Sequence, residues 1–142
     1  MRIGVIADIH DNIWALDKVL DCLSDCDQLL CLGDLCAPFT ATMIAQGFDG
    51  PVHLVWGNND GDRLRIAANV QQVGNVTLYG ELAELTLGGV AVALTHYPNI
   101  AVALAKGQQY DLVCHGHNHQ REQVLVGRTL RLNPGEDMGR FG

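Results

Sequence analysis

Met1-Arg2-Ile3-Gly4-Val5-Ile6-Ala7-Asp8-Ile9-His10-Asp11-Asn12 joins an apolar run, Ile3, Val5 and Ile6, to an abrupt polar ending. A short run rich in β-branched residues that stops at polar ones reads as a buried parallel strand. Asp8 and His10 stand two apart at its carboxyl end. On extended backbone their side chains point the same way, so a carboxylate oxygen and an imidazole nitrogen can meet one metal ion. Taken alone, the pair fits a solvated turn as well.

The same grammar recurs. Leu29 to Leu32 ends in Gly33-Asp34; Val52 to Trp56 ends in Gly57-Asn58-Asn59-Asp60; Val90 to Leu94 ends in Thr95-His96; Leu112 to Cys114 runs into His115-Gly116-His117-Asn118-His119. In α/β sheets the ligand site lies beyond the carboxyl ends of the strands, so residues far apart in the chain can converge there. The glycines before Asp34, Asn58 and His117 suit sharp strand exits close to a ligand.

These ordered blocks (Asp-x-His, Gly-Asp, Gly-Asn-x-Asp, a lone His, Gly-His-x-His and Asn133-Pro134-Gly135) resemble the calcineurin-like metallophosphoesterases, and within them the small phosphodiesterase branch. The resemblance spans nearly the whole chain. It implies that Asp8, His10 and His119 hold one metal, that Asn58, His96 and His117 hold the other, and that Asp34 bridges both. It also implies two divalent transition-metal ions as cofactors, manganese first, with iron, zinc, nickel or cobalt as alternatives. Mixed His, Asp and Asn ligands suit such ions better than calcium or magnesium, and an anionic bridge lowers the repulsion between two nearby cations. The implied chemistry is in-line hydrolysis of a phosphoester by a metal-bridging hydroxide, on a small-molecule substrate.

Departures from the family pattern shape the rest. Asn59 stands where the family often has His, a residue that protonates the leaving group and is oriented by the following Asp, here Asp60; these two are the candidate catalytic side chains. An amide has no proton to transfer near neutral pH, which favours diesters with good leaving groups and leaves a phosphomonoesterase as the alternative. Asn12 matches a family Asn that reaches substrate phosphate, although it also suits a helix cap. Asp11 and Glu136 replace the family's Gly and Ser, and either would repel phosphate if it pointed into the site. The segment after Asp34 lacks the Asp-Arg-Gly of protein Ser/Thr phosphatases. A non-catalytic scaffold of the same fold is the competing class, but scaffolds tend to lose the ligands that are all present here.

Other residues have plainer readings. His53 lies inside a strand and His115 precedes a glycine turn, so both read as structural. Arg63 and Arg121 read as surface cations. The five cysteines lack Cys-x-x-Cys spacing and read as reduced thiols.

Connecting segments read as helices over 13 to 24, from Pro38 to Gly47, from Asp62 to about Gln72 and from Pro98 to Ala105, with hairpins at Gly88-Gly89 and Gly127-Arg128. At 142 residues and 48% hydrophobic, the chain suits one α/β domain. The family resemblance implies two facing mixed sheets flanked by helices, a four-layer αββα sandwich. The strand begins at once with no signal sequence and no run long enough to span a membrane, so a cytoplasmic protein is expected. A net charge of −7 argues against a broad nucleic-acid-binding surface. Family members usually carry further strand beyond Asn-Pro-Gly, so an uncovered sheet edge, and with it a homo-oligomer, is a further expectation.

Overall fold

Three successive strand–helix–strand crossovers build the first half of the molecule. The computed structural model describes residues 1–140, and in it β1 (Ile3–Ile6), β2 (Gln28–Cys31), β3 (Val52–Leu54) and β4 (Val76–Leu78) lie side by side in that order, all parallel. Each crossover carries a helix: α1 (Ile13–Cys22), α2 (Pro38–Gly47) and α3 (Arg63–Val73). Parallel neighbours require such crossovers, so this sheet is wholly parallel and the mixed pairing expected of both sheets is confined to the second. That second sheet has the order β5 (Leu82–Leu87), β6 (Val90–Thr95), β7 (Leu112–Cys114), β9 (Thr129–Asn133), β8 (Glu122–Val126), with α4 (Pro98–Gly107) joining β6 to β7.

Strand alternation sorts the side chains into layers. On β2, Leu29 and Cys31 join Leu16, Leu20, Ile44 and Ile66 beneath α1 to α3, whereas Leu30 and the following Leu32 join Val92, Leu94 and Cys114 between the sheets. On the outer face of the second sheet, Ala93 and Val113 pack against Ala101 and Ala105 of α4. The result is helices, sheet, sheet, helix, in one α/β domain. Among the described residues, no helix is long and apolar enough to cross a membrane.

The helices begin next to the strand ends, and their caps tie the loops together. Asn12 Oδ1 accepts from Ala15 N–H at the start of α1 (3.2 Å). At α2 the N-cap Ala37 has no capping side chain. Asp11 supplies one from the β1–α1 loop, accepting from Ala37 N–H at 2.9 Å and from the Thr40 hydroxyl at 2.5 Å. Asp11 is therefore committed to a helix terminus.

Candidate metal centre

The strands stop short of the residues that matter. β1 ends at Ile6, and Asp8, His10 and Asp11 take left-handed backbone angles (φ 54°, 46° and 57°) rather than the extended ones expected. The loop is held by its neighbour: Asp8, His10 and Asp11 N–H groups donate to the carbonyls of Gly33, Asp34 and Leu35 at 3.1, 2.9 and 3.3 Å. Asp34, His117 and His119 are left-handed too (φ 55°, 76° and 59°). Such angles are costly for non-glycine residues and persist only where surrounding structure over-determines them. Two glycines are required by close approach. A Cβ on Gly57 would sit 2.2 Å from Asp34 Oδ1, and one on Gly116 would sit 2.7 Å from Asp8 Oδ2.

All seven expected ligands converge. Asp8, Asp34 and His96 form a floor at 0%, 1% and 0% exposure, while Asn58 and His117 stand exposed at the rim. Asp34 Oδ2 is 3.4 Å from His10 Nε2 and 3.4 Å from His96 Nε2. On one side, His119 Nε2 is 3.5 Å and His10 Nε2 4.0 Å from Asp8 Oδ1. On the other, Asn58 Oδ1 lies 3.0 Å from His96 Nε2 and 2.9 Å from His117 Nδ1, and those two nitrogens are 3.2 Å apart. The donor atoms of Asp8, His10 and His119, and those of Asp8, Asp34 and His96, lie within 4.8 Å of one another.

These distances fit metal ions. Ligand atoms about 2.0–2.2 Å from a transition metal stand roughly 3.0–3.5 Å apart around it. The protons point the same way. His96 Nδ1 is 2.7 Å from the Leu32 carbonyl, which takes the proton of a neutral ring and turns the Nε2 lone pair toward Asn58 Oδ1 and Asp34 Oδ2. Acceptors crowded in this way need a positive charge among them. Among the described residues, Asp8 Oδ1 and His10 Nε2 find no hydrogen-bond partner, a costly state that a cation relieves.

A proton held between His96 Nε2 and Asp34 Oδ2 can supply that positive charge in place of a metal. Burial alone would raise Asp34, but hydrogen bonds from His96 and from the Asn59 backbone and side chain hold it well below the usual carboxylate range. Burial raises Asp8 against the pull of His96 and His119. Burial disfavours a charged His96, yet the bond and charge of Asp34 raise it overall.

Three candidates are held by contacts within the protein, which for Asn12 include the helix cap that its sequence position allows. Asp60 does not orient residue 59. Its buried carboxylate accepts from the N–H groups of Gly57 (2.7 Å), Leu35 (2.8 Å), Asp34 (3.1 Å) and Cys36 (3.1 Å), clamping the loops after β2 and β3 together. Asn59 donates to Asp34 twice, from its backbone to Oδ1 and from its amide to Oδ2, both at 2.8 Å. Asn12 caps α1 through its oxygen, and its NH₂ donates to the carbonyls of Asp137 (3.2 Å) and Met138 (2.9 Å), so both of its protons are spoken for.

His53 and His115 stand apart from the centre. His53 lies between Tyr79 Oη (2.9 Å) and Gln28 Oε1 (2.8 Å), and His115 is buried beside Glu122 and Asn133. Cys36 Sγ is 3.6 Å from His10 Nδ1, and its thiol is pushed up to about 12 by burial and by Asp11 and Asp34. Sequence reasoning missed one neighbour, Tyr97, and read another, Glu136, only as a charge that would repel phosphate. The ring of Tyr97 meets His96 edge-on at 5.3 Å and lies 5.8 Å from His117, and Glu136 contacts His119. The first is next to a ligand in the sequence; the second lies beside the Asn-Pro-Gly turn.

Known proteins resemble the chain along nearly its whole length. A phosphodiesterase of Methanocaldococcus jannaschii is 24% identical over 143 residues, spanning 98% of this chain and 86% of the relative. An archaeal phosphodiesterase structure superposes with a TM-score of 0.91 at 23% identity, over 99% of this chain and 87% of that one. A Vps29 from Entamoeba histolytica complexed with zinc superposes with a TM-score of 0.70 at 24% identity, over 98% and 76%. At these identities the superpositions establish the fold. The profile of the calcineurin-like phosphoesterase superfamily domain matches residues 1–142, and the chain belongs to that superfamily.

Proposed function

We propose that this protein is a metal-dependent phosphodiesterase that hydrolyses a small-molecule phosphoester by in-line attack, with two divalent transition-metal ions held by Asp8, His10, Asp34, Asn58, His96, His117 and His119. The observation that carries this reading is Asp34 Oδ2, equidistant at 3.4 Å from a histidine of each ligand set. When bound, the two ions supply an acidified water as nucleophile and positive charge for the phosphoryl oxygens. Manganese is the first candidate. The name of the archaeal relative supports a diester substrate.

The protein's own groups then do three things. The floor fixes Asp34, which hydrogen bonds keep ionised against its burial. The exposed rim at Asn58 and His117 leaves the centre open to a substrate from solvent. Asn59 holds the bridging carboxylate and can present only a neutral amide to substrate, so a leaving group must depart without a proton from this residue. General acid catalysis is typically worth about 10²–10⁴-fold, and substrates with acidic leaving groups do without it.

The second reading, a binding module, draws on the Vps29 likeness; the complete donor set favours the enzyme. The decisive experiment is turnover of an aryl phosphodiester with added Mn²⁺, with and without chelator, beside an alkyl phosphomonoester. Metal-dependent cleavage of the diester, exceeding that of the monoester by at least tenfold, is expected. Two bound ions with no turnover of either substrate would leave the binding module as the better account.

A further inference from the structure

The chain turns sharply after β9 and brings a carboxylate back under the metal centre. Asn133 Oδ1 accepts from Gly135 N–H at 2.9 Å, and Gly135 takes a left-handed φ of 94°. The Asn133 amide donates to the Gly116 carbonyl at 3.1 Å and to Asn118 Oδ1 at 2.6 Å, tying this turn to the loop that carries His117 and His119. Beyond it, Asp137 N–H donates to the Ala7 carbonyl at 3.2 Å, next to Asp8, and the Asn12 amide clasps the carbonyls of Asp137 and Met138. Glu136 is thus anchored on both sides. Its side chain is 2% exposed, and Oε2 contacts His119 Nδ1.

We infer that Glu136 is a positioning residue: it takes the Nδ1 proton of His119 in a hydrogen bond, fixing the tautomer whose Nε2 lone pair faces Asp8 Oδ1 and the metal bound there. This rests on the metal-centre reading above. A metal-bound imidazole is more basic and better oriented when its remote N–H meets a carboxylate, and losing that partner typically costs about 10–100-fold in metal affinity. The remote nitrogens of the other histidines meet less: His96 Nδ1 faces a carbonyl and His10 Nδ1 a thiol. Glu136 therefore does not point its charge at substrate. It lends that charge to one ligand.

The test is Co²⁺ titration of wild type, Glu136→Gln and Glu136→Ala, followed by calorimetry and by the visible absorption of the bound ion. In wild type two equivalents are expected. The affinity of the first should fall by about 10–100-fold in Glu136→Ala and by less in Glu136→Gln, whose amide oxygen still accepts the proton, while the second equivalent changes less in both. Unaltered affinities in a folded variant, or equal losses at both sites together with lowered stability in chelator, overturn the role. Failure of wild type to bind metal would instead defeat the metal-centre reading. Should the variants not fold, the ¹⁵N shifts of His119 in wild-type protein in chelator decide: a proton on Nδ1 is expected, and one on Nε2 overturns the inference.

Discussion

The two halves of the proposed metal centre are built on different principles. The half formed by Asp8, His10 and His119 is set around a buried carboxylate, backed by Glu136 and by Asp137, whose carboxyl is pushed up to about 6 by burial and by the charges of Asp8 and Glu136. Among the described residues, Asp8 Oδ1 and His10 Nε2 find no hydrogen-bond partner there. The half formed by Asn58, His96 and His117 has no carboxylate of its own; its donor atoms meet one another at 2.9–3.2 Å, and two of its three residues are exposed. The first half thus has more to gain from a cation, and the second faces solvent. Asp34 Oδ2 joins them at 3.4 Å from a histidine of each, and Asp8 Oδ1 also reaches across, 4.0 Å from both His10 Nε2 and His96 Nε2.

The largest effect should come from the element common to both. Asp34→Ala removes the oxygen that lies 3.4 Å from a histidine of each half, together with the acceptor of both Asn59 hydrogen bonds. Metal content measured by emission spectrometry after Mn²⁺ loading and gel filtration should fall from about two equivalents to near zero, and diester turnover to background. Retention of one tightly held equivalent would mean that the halves bind independently.

A smaller effect separates the halves. Asp8→Ala should cost the tighter equivalent, whereas Asn58→Ala should cost only the weaker one and leave the first titration step in place. The cause is charge: one substitution deletes a buried anion facing the ion, and the other deletes a neutral amide at the rim. If Asn58→Ala abolished the tighter step, the asymmetry drawn from burial and charge would be reversed.

Much of this was legible in the sequence because it depends on spacing. The apolar runs and the glycine exits marked the strands and the turns that follow them. The seven candidate ligands came from the family resemblance, and the fold brings them together beyond the strand ends. The parts that were not legible are those where a side chain serves a distant backbone. Asp60 reads as a member of a metal block, yet its carboxylate is consumed by four N–H groups from two loops, a pairing that exists only once β2 and β3 lie together. Asp11 reads as a charge beside the site and instead caps α2. Glu136 reads as a mismatch and instead meets His119. The left-handed backbone at Asp8 and His10 was hidden for the same reason, because neighbouring-loop carbonyls and not local propensity hold it.

The smallest effect on the centre is expected from a histidine outside both halves. His53 joins β3 to its neighbours, between Gln28 of β2 and the Tyr79 hydroxyl just after β4, and burial lowers its pKa. A neutral ring suits both partners, donating from Nε2 to the Gln28 oxygen and accepting at Nδ1 from Tyr79. The unfolded chain protonates His53 near the ordinary value of about 6.5, whereas the folded protein does so only at lower pH. Above about pH 6.5 neither state carries the proton, and this group adds no pH dependence. As the pH falls below that value the unfolded state binds more protons, so stability drops until the folded group titrates as well. His53→Gln should therefore make the fall in denaturant midpoint between pH 7 and pH 5 shallower, with both proteins in chelator so that the shared ligand histidines contribute equally to each curve. At pH 7 the lost hydrogen-bond geometry should cost only about 1 kcal/mol, and Mn²⁺ content should be unchanged in either half. A loss of metal in His53→Gln would bring a strand-interior histidine into the centre and break the division between the two halves and the sheet that carries them.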